Sequence, residues 1–319
     1  MGAPTHLLGM HLANPVVVGS GLLTDQERNI RRLLDAGAGA VVTKTIHPNP
    51  PIGLDERLVR LPTGMINSTT YSKRSVEHWV RILRDLTQDG LPVIASLHAD
   101  SPTELAELAA RVEATGCRAL ELGISCLNEE DGLDDTPERV HAYTAATRAA
   151  TRVPFSVKLA SGEGLHARAF AAARAGADAV TISDTLPAAA VHPETRDLQL
   201  GGVFGYSGPG IKPLVLASLW KLRRAGFTLP VLASGGVQSG RDVHDYLAVG
   251  AVVAQIYTAL HTDMYPTLAR IVAETTGTGN TGTGNTGTGN TDAGTTDAGN
   301  TGLALEPATG ANRSGQVRP

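Results

Sequence analysis

Cysteine is nearly missing from this chain: there are 2 among 319 residues, Cys117 and Cys126. That excludes a disulfide scaffold, a four-cysteine zinc site and an iron–sulfur cluster built within the chain. No run of 18 or more apolar residues occurs, and the opening MGAPTHLLGMHLANP has neither a charged start nor a signal-like apolar stretch. The expectation is a soluble cytoplasmic protein that meets no membrane. There is no excess of positive charge, with 27 Lys+Arg against 31 Asp+Glu, which argues against a nucleic-acid partner. The 10 histidines form no HxH or HExxH pair, so no metal site is expected. With 42% hydrophobic residues the core is ample, and wholesale disorder is excluded.

From Thr275 the chain turns into a Gly/Thr-rich low-complexity stretch, TGTGNTGTGN and onward, ending in a polar tail to Pro319. It offers nothing apolar to bury, and residues 275–319 read as a flexible tail outside a single domain of residues 1–274. Within that domain short β-branched or apolar runs recur: Pro15–Ser20, Ala40–Thr45, Pro92–Leu97, Ala119–Ser125, Pro154–Leu159, Ala179–Ser183, Pro230–Ala233 and Val252–Ile256. Such runs suit strands buried on both faces. Helical periodicity lies between them at Thr103–Ala114, Pro137–Ala150, Gly164–Ala175, Pro213–Ala225, Ser239–Val249 and Asp263–Glu274. Ser101 or Thr103 caps the first of these. Four helix ends carry Gly before a strand, as in AGAGAVV, ATGCRALEL, AGADAVTI and VGAVVAQI. Eight strand–helix units predict an α/β fold of the (β/α)8 TIM barrel class. The competing doubly wound sheet would carry a GxGxxG turn after its first strand, and GSGLLTD is not one.

Barrels place their chemistry after the C-terminal ends of the strands. There stand Ser20 and Gly21, Lys44 and Thr45, Ser125 to Asn128, Lys158, Ser183 to Thr185, Gly235 and Gly236, and Tyr257 and Thr258. Two lysines in apolar strands point to an anionic ligand or intermediate, or else to a structural ion pair with an acid such as Glu121. Gly235, Gly236 and Thr258, with the Ser207–Gly210 loop, sit where barrels bind phosphate. Cys126, beside Ser125 and Asn128 and before an acidic loop, is a candidate acid/base or nucleophile. Cys117, at a helix end, reads as structural.

These residues identify a resemblance. Asn14-Pro15, Thr43-Lys44-Thr45, Gly64-Met65-Ile66-Asn67-Ser68, Ser125-Cys126-x-Asn128, Val157-Lys158-Leu159, Ser207-Gly208-Pro209-Gly210-Ile211-Lys212-Pro213, Gly235-Gly236-Val237 and Gln255-Ile256-Tyr257-Thr258-Ala259-Leu260 run in order over residues 12–270. Together they resemble the dihydroorotate dehydrogenase family of FMN-containing barrels, which serves pyrimidine biosynthesis. The resemblance implies an FMN phosphate held by Gly208, Gly235, Gly236, Tyr257 and Thr258, with Ser20, Gly21, Thr45 and Ser183 completing the cofactor contacts. It implies that Lys158 stabilises negative charge on the reduced flavin, and that Lys44 and Asn67 lie near flavin and substrate. Asn128, Asp184 and Thr185 complete the substrate side. Cys126 is then the general base, as in the soluble class of the family. It removes a proton from one carbon while the next gives hydride to the flavin. A homodimer and a separate electron-transfer partner are also implied.

The match departs on the substrate side. Gly123 stands where the family usually has Asn, Leu127 where it has Pro, Asp184 where it has Asn, and Phe204 where it has Gly. An ionised Asp only accepts hydrogen bonds, whereas Asn also donates. The small-molecule substrate is therefore either dihydroorotate or another cyclic or unsaturated carbonyl compound. A non-redox phosphate-binding synthase or lyase barrel is the reading from a different class.

Overall fold

The computed structural model describes residues 5–50, 56–128 and 135–277. They belong to one unit spanning Met1–Gly279, and the low-complexity stretch beyond it lies outside the described residues. In chain order, β1 (Thr5–Leu7) and β2 (Met10–Leu12) precede β3 (Val16–Val18), α1 (Glu27–Asp35), β4 (Ala40–Val42), β5 (Leu58–Leu61), β6 (Gly64–Asn67), α2 (Val76–Gln88), β7 (Val93–Leu97), α3 (Pro102–Glu113) and β8 (Leu120–Gly123). There follow α4 (Pro137–Ala150), β9 (Phe155–Ala160), α5 (Leu165–Arg174), β10 (Ala179–Asp184), β11 (Leu186–Ala188), β12 (Phe204–Ser207), α6 (Lys212–Arg224), β13 (Val231–Ser234), α7 (Gly240–Ala248), β14 (Val253–Ile256) and α8 (Met264–Thr276).

Strands β3, β4, β7, β8, β9, β10, β13 and β14 are parallel and close into a barrel. These are the eight runs read from the sequence. Alternation along a strand divides their side chains between two faces. Val16 and Val18 join the large core beneath the helices, while Val17 joins a smaller cluster inside the barrel. Leu7, Leu8, Met10 and Leu12 of the β1–β2 hairpin pack into that inner cluster, with Ala40, Val42, Ile94, Ala179 and Leu232. An apolar plug therefore fills the lower end, and polar chemistry is left to the C-terminal end.

The Gly-containing joints behave as their sequence implies. Gly37, Gly116, Gly176 and Gly250 all have positive φ, between 84° and 101°, which side chains with a Cβ rarely adopt. Ser101 caps α3 by accepting from the Glu104 N–H. At the first joint a Cβ on Gly39 would lie 2.2 Å from the Asn14 carbonyl oxygen. The Asn14 side chain ties the same joint down, donating to the Gly37 carbonyl at 2.9 Å and accepting from the Val16 N–H at 3.0 Å.

Three features go beyond the sequence reading. Helices α1 and α2 were not among the expected six, although Val76, Trp79, Leu83 and Leu86 of α2 are buried at helical spacing. Helix α8 runs to Thr276, past the expected Glu274, and is closed by Gly277 in the left-handed conformation. A second sheet, β11-β12-β6-β5, is antiparallel and joins segments inserted after the second and sixth barrel strands.

Trp79 is fully buried, and its indole N–H donates to Ser72 Oγ at 2.9 Å. Trp79→Ala leaves a large cavity and removes one of the hydrogen bonds at Ser72, and should lower unfolding free energy by about 3–5 kcal/mol, read from the urea midpoint.

Candidate active site

A cleft enclosing about 1250 Å³ of space open to solvent lies at the C-terminal end of the barrel. Of the residues expected at the site, Ser20, Gly21, Lys44, Thr45, Asn67, Cys126, Asn128, Lys158, Ser183, Asp184, Thr185, Gly235, Gly236, Tyr257 and Thr258 all line it. Gly208 does not. It packs one layer behind, where a Cβ would lie 2.5 Å from the Gly64 Cα.

The floor of the cleft is polar. Glu121 of β8 is fully buried, and its Oε2 accepts from Thr181 of β10 at 2.8 Å and from Gln255 of β14 at 2.7 Å. Its Oε1 lies 3.4 Å from Lys158 Nζ of β9. Burial works against the Lys158 charge, but the carboxylates of Glu121 and then Asp184 outweigh it and hold the amine above the ordinary lysine range. Lys158 is thus ion-paired with Glu121, and it also lines the cleft.

Lys44 differs. It is 4% exposed, and no carboxylate among the described residues lies within ion-pair distance. Burial lowers its affinity for the proton, and the fields of Glu56, Cys126 and Asp25 offset that only partly. A buried cation of this kind calls for an anion. Beside it, Ser20, Thr45 and Ser96 form a chain of hydroxyls, with Oγ–Oγ1 distances of 3.2 and 2.9 Å.

Part of the cleft wall is built from glycine. Gly21 lies flat on Tyr257, where a Cβ would meet the ring at 2.1 Å, and the Tyr257 hydroxyl accepts from the Leu23 N–H at 3.2 Å. Burial raises that phenol to about 12. At Gly236, with φ 74°, a Cβ would lie 2.9 Å from the Gly208 carbonyl oxygen. Thr258 Oγ1 and Ser207 Oγ are 2.9 Å apart. Exposed backbone, hydroxyls and little side-chain bulk suit a phosphate group.

The second sheet forms the rim. Asn67 of β6 donates to the Gly205 carbonyl at 3.0 Å and accepts from Thr69. Asn128 donates to the Thr69 carbonyl at 2.7 Å and accepts from the Gly205 N–H at 2.9 Å. The two amides thus knit β6, β12 and the loop after β8 together as they face the cleft. Asp184 follows a register shift in β10, and its carboxylate accepts from the Thr185 N–H at 2.8 Å. Of the acidic loop after Cys126, Glu129 to Asp134 lie outside the described residues. Burial raises the Asp135 carboxyl, against a hydrogen bond from Ser125.

Tyr71, Ser96, His98, Gln255 and His261 also line the cleft and were not singled out from the sequence. His98 directly follows β7, and reading that strand end like the others would have found it. Gln255 is a lone polar residue in an apolar run.

The family profile for dihydroorotate dehydrogenase matches residues 3–276. The chain belongs to the dihydroorotate dehydrogenase family. It is 35% identical over 261 residues to the Desulforudis audaxviator dihydroorotate dehydrogenase B (NAD(+)) catalytic subunit, covering 79% of this chain and 85% of that one. The Pyrococcus horikoshii protein of the same name is 34% identical, at 80% and 85% coverage. The crystal structure of a dihydroorotate dehydrogenase from Eimeria tenella with ferulenol superposes with a TM-score of 0.73 at 17% identity, over 85% of this chain and 82% of that one, a likeness of fold. The family is FMN-dependent, which sets aside the non-redox synthase or lyase reading. The cleft fits that cofactor: it has room, a glycine wall for the phosphate, and two lysines, Lys44 buried and Lys158 partly buried. Among the described residues no helix is long and apolar enough to cross a membrane.

The sign of the Lys44 effect is testable. The folded protein holds this proton less tightly than the unfolded chain, so the destabilisation is present below the lowered folded value. It disappears as pH climbs from there toward the ordinary 10.5. Lys44→Met should therefore raise the melting temperature of cofactor-free protein at about pH 7, abolish the alkaline gain, and weaken binding of the anionic ligand.

Proposed function

We propose that this member of the dihydroorotate dehydrogenase family is an FMN-dependent oxidoreductase acting on a CH–CH bond of dihydroorotate or a related cyclic carbonyl compound. The observation that carries the reading is the convergence of Cys126, Lys44 and Lys158 on one cleft, with Lys158 alone of the two lysines ion-paired among the described residues. Lys44, Gly235, Gly236, Tyr257 and Thr258 would hold the cofactor, which supplies a two-electron acceptor for hydride. Cys126 would take a proton from one substrate carbon while the neighbouring carbon gives up hydride, so that two C–H bonds break and a C=C bond forms between those carbons. In the reverse direction the same thiol is the acid. Lys158 keeps its charge because Glu121 is buried beside it, and it stabilises negative charge that develops at the cofactor face.

The substrate side supports a related ring as much as dihydroorotate itself. At Gly123 a Cβ would make ordinary van der Waals contact with His98, 3.7 Å away, so the position takes a side chain's first carbon without a clash but carries no amide, and Asp184 adds a carboxylate to the wall. A carboxylated substrate is compensated there by Lys44. The matched relatives are named as catalytic subunits of NAD(+) enzymes, and this chain's 2 cysteines build no iron–sulfur cluster. We therefore infer a separate electron-transfer partner, and a homodimer as the catalytic body.

Purified protein should be yellow, and dihydroorotate added without oxygen should bleach the flavin. A colourless protein that binds no FMN would overturn the reading. A yellow protein that dihydroorotate leaves oxidised moves the substrate to another cyclic carbonyl compound. Cys126→Ala should retain flavin and lose turnover by about 10²–10⁴-fold.

A further inference from the structure

His47 follows β4 and His98 follows β7. A parallel bridge between Ile46 and Leu97 sets the two histidines side by side. Both rings are buried, 3% and 2% exposed, with centroids 5.4 Å apart and planes within 21°. Asp100, two residues beyond His98, has an exposed side chain and brings Oδ1 to 3.3 Å from His47 Nε2. One nitrogen of each imidazole and a carboxylate oxygen of Asp100 all lie within 4.8 Å of one another. The sequence, without an HxH or HExxH pair, gave no sign of this.

The remaining ring nitrogens are engaged. His47 Nδ1 is 2.9 Å from the Asn49 carbonyl oxygen and 3.1 Å from the Asn49 backbone nitrogen, and His98 Nε2 is 3.3 Å from the Tyr71 hydroxyl. His47 Nε2 and His98 Nδ1 are both buried without a hydrogen-bond partner among the described residues, and with the proton on the far nitrogen each presents a lone pair. This is the arrangement in which a metal-ligating histidine is fixed by a carbonyl or hydroxyl on its far side.

We propose that His47 Nε2, His98 Nδ1 and the Asp100 carboxylate form a binding site for a divalent transition metal, zinc foremost. Two imidazoles and one carboxylate are zinc donors, and an open fourth position is left for water. Bonds of about 2.0–2.1 Å need donors closer together than they now stand, and the exposed Asp100 side chain has the freedom to close in. The ion would join the loops after the second and third barrel strands. It would thereby hold His98 and Tyr71, which stack at 4.6 Å in the cleft wall.

The test uses flavin-loaded protein stripped with EDTA. Calorimetric titration with ZnCl₂ should show one equivalent bound, with a rise in melting temperature that EDTA reverses. Co²⁺ should give visible ligand-field bands on the red side of the flavin absorption. Asp100→Asn and His47→Gln should each weaken Zn²⁺ binding by at least about tenfold. Cys126→Ser, which removes the thiol of the cleft, should leave the stoichiometry at one. No saturable Zn²⁺ binding, or binding lost in Cys126→Ser but kept in Asp100→Asn and His47→Gln, overturns the proposal.

Discussion

A fully buried carboxylate organises this protein. Glu121 has no water to solvate it, and an uncompensated charge there would cost several kcal/mol. It is compensated from three other barrel strands, by Lys158 on β9, Thr181 on β10 and Gln255 on β14. Each contact spans a different part of the ring, so the network fixes the relative heights of strands that do not all neighbour one another. It also marks a boundary. Below it the barrel is filled by the aliphatic plug of the β1–β2 hairpin, and above it lies the cleft.

The same network explains why the two lysines of the cleft behave differently. Lys158 is neutralised from beneath, so its charge is a fixed part of the scaffold. Lys44 has no such partner among the described residues, and burial works against its charge. A ligand that brings an anion to Lys44 therefore relieves a penalty already present in the empty fold. Affinity is obtained there at the expense of the stability of the unliganded protein, the trade expected where a site is built for its ligand.

The barrel was legible because its strands are buried on both faces and so appear as unbroken apolar runs, and because four helix-to-strand joints repeat one glycine signal. The ring of strand-end residues followed directly from that register. Other parts were hidden for physical reasons. The antiparallel sheet pairs Asn67 with Gly205, and no local pattern announces a contact between segments so far apart. The meeting of His47 and His98 depends on one bridge between neighbouring strands. That both asparagines of the rim are engaged with main chain and with each other is a property of packing, invisible in their spacing. Helix α2 was missed although its buried stripe is regular, because it shares a long connection with β5 and β6.

The rim sheet has a consequence for how such an enzyme changes. Its strands belong to insertions and not to the barrel ring, yet they deliver Leu58, Met65, Asn67 and Ser207 to the cleft. The machinery that holds charge is anchored in the staves, and much of the surface that greets an incoming molecule is carried on a detachable canopy. Mutational drift in the canopy can reshape what is admitted while the charged floor stays untouched. The departures from the family pattern fall on both parts: Phe204 begins β12 of the canopy, whereas Gly123 and Asp184 end the barrel strands β8 and β10 and Leu127 follows β8, all above Glu121 and Lys158.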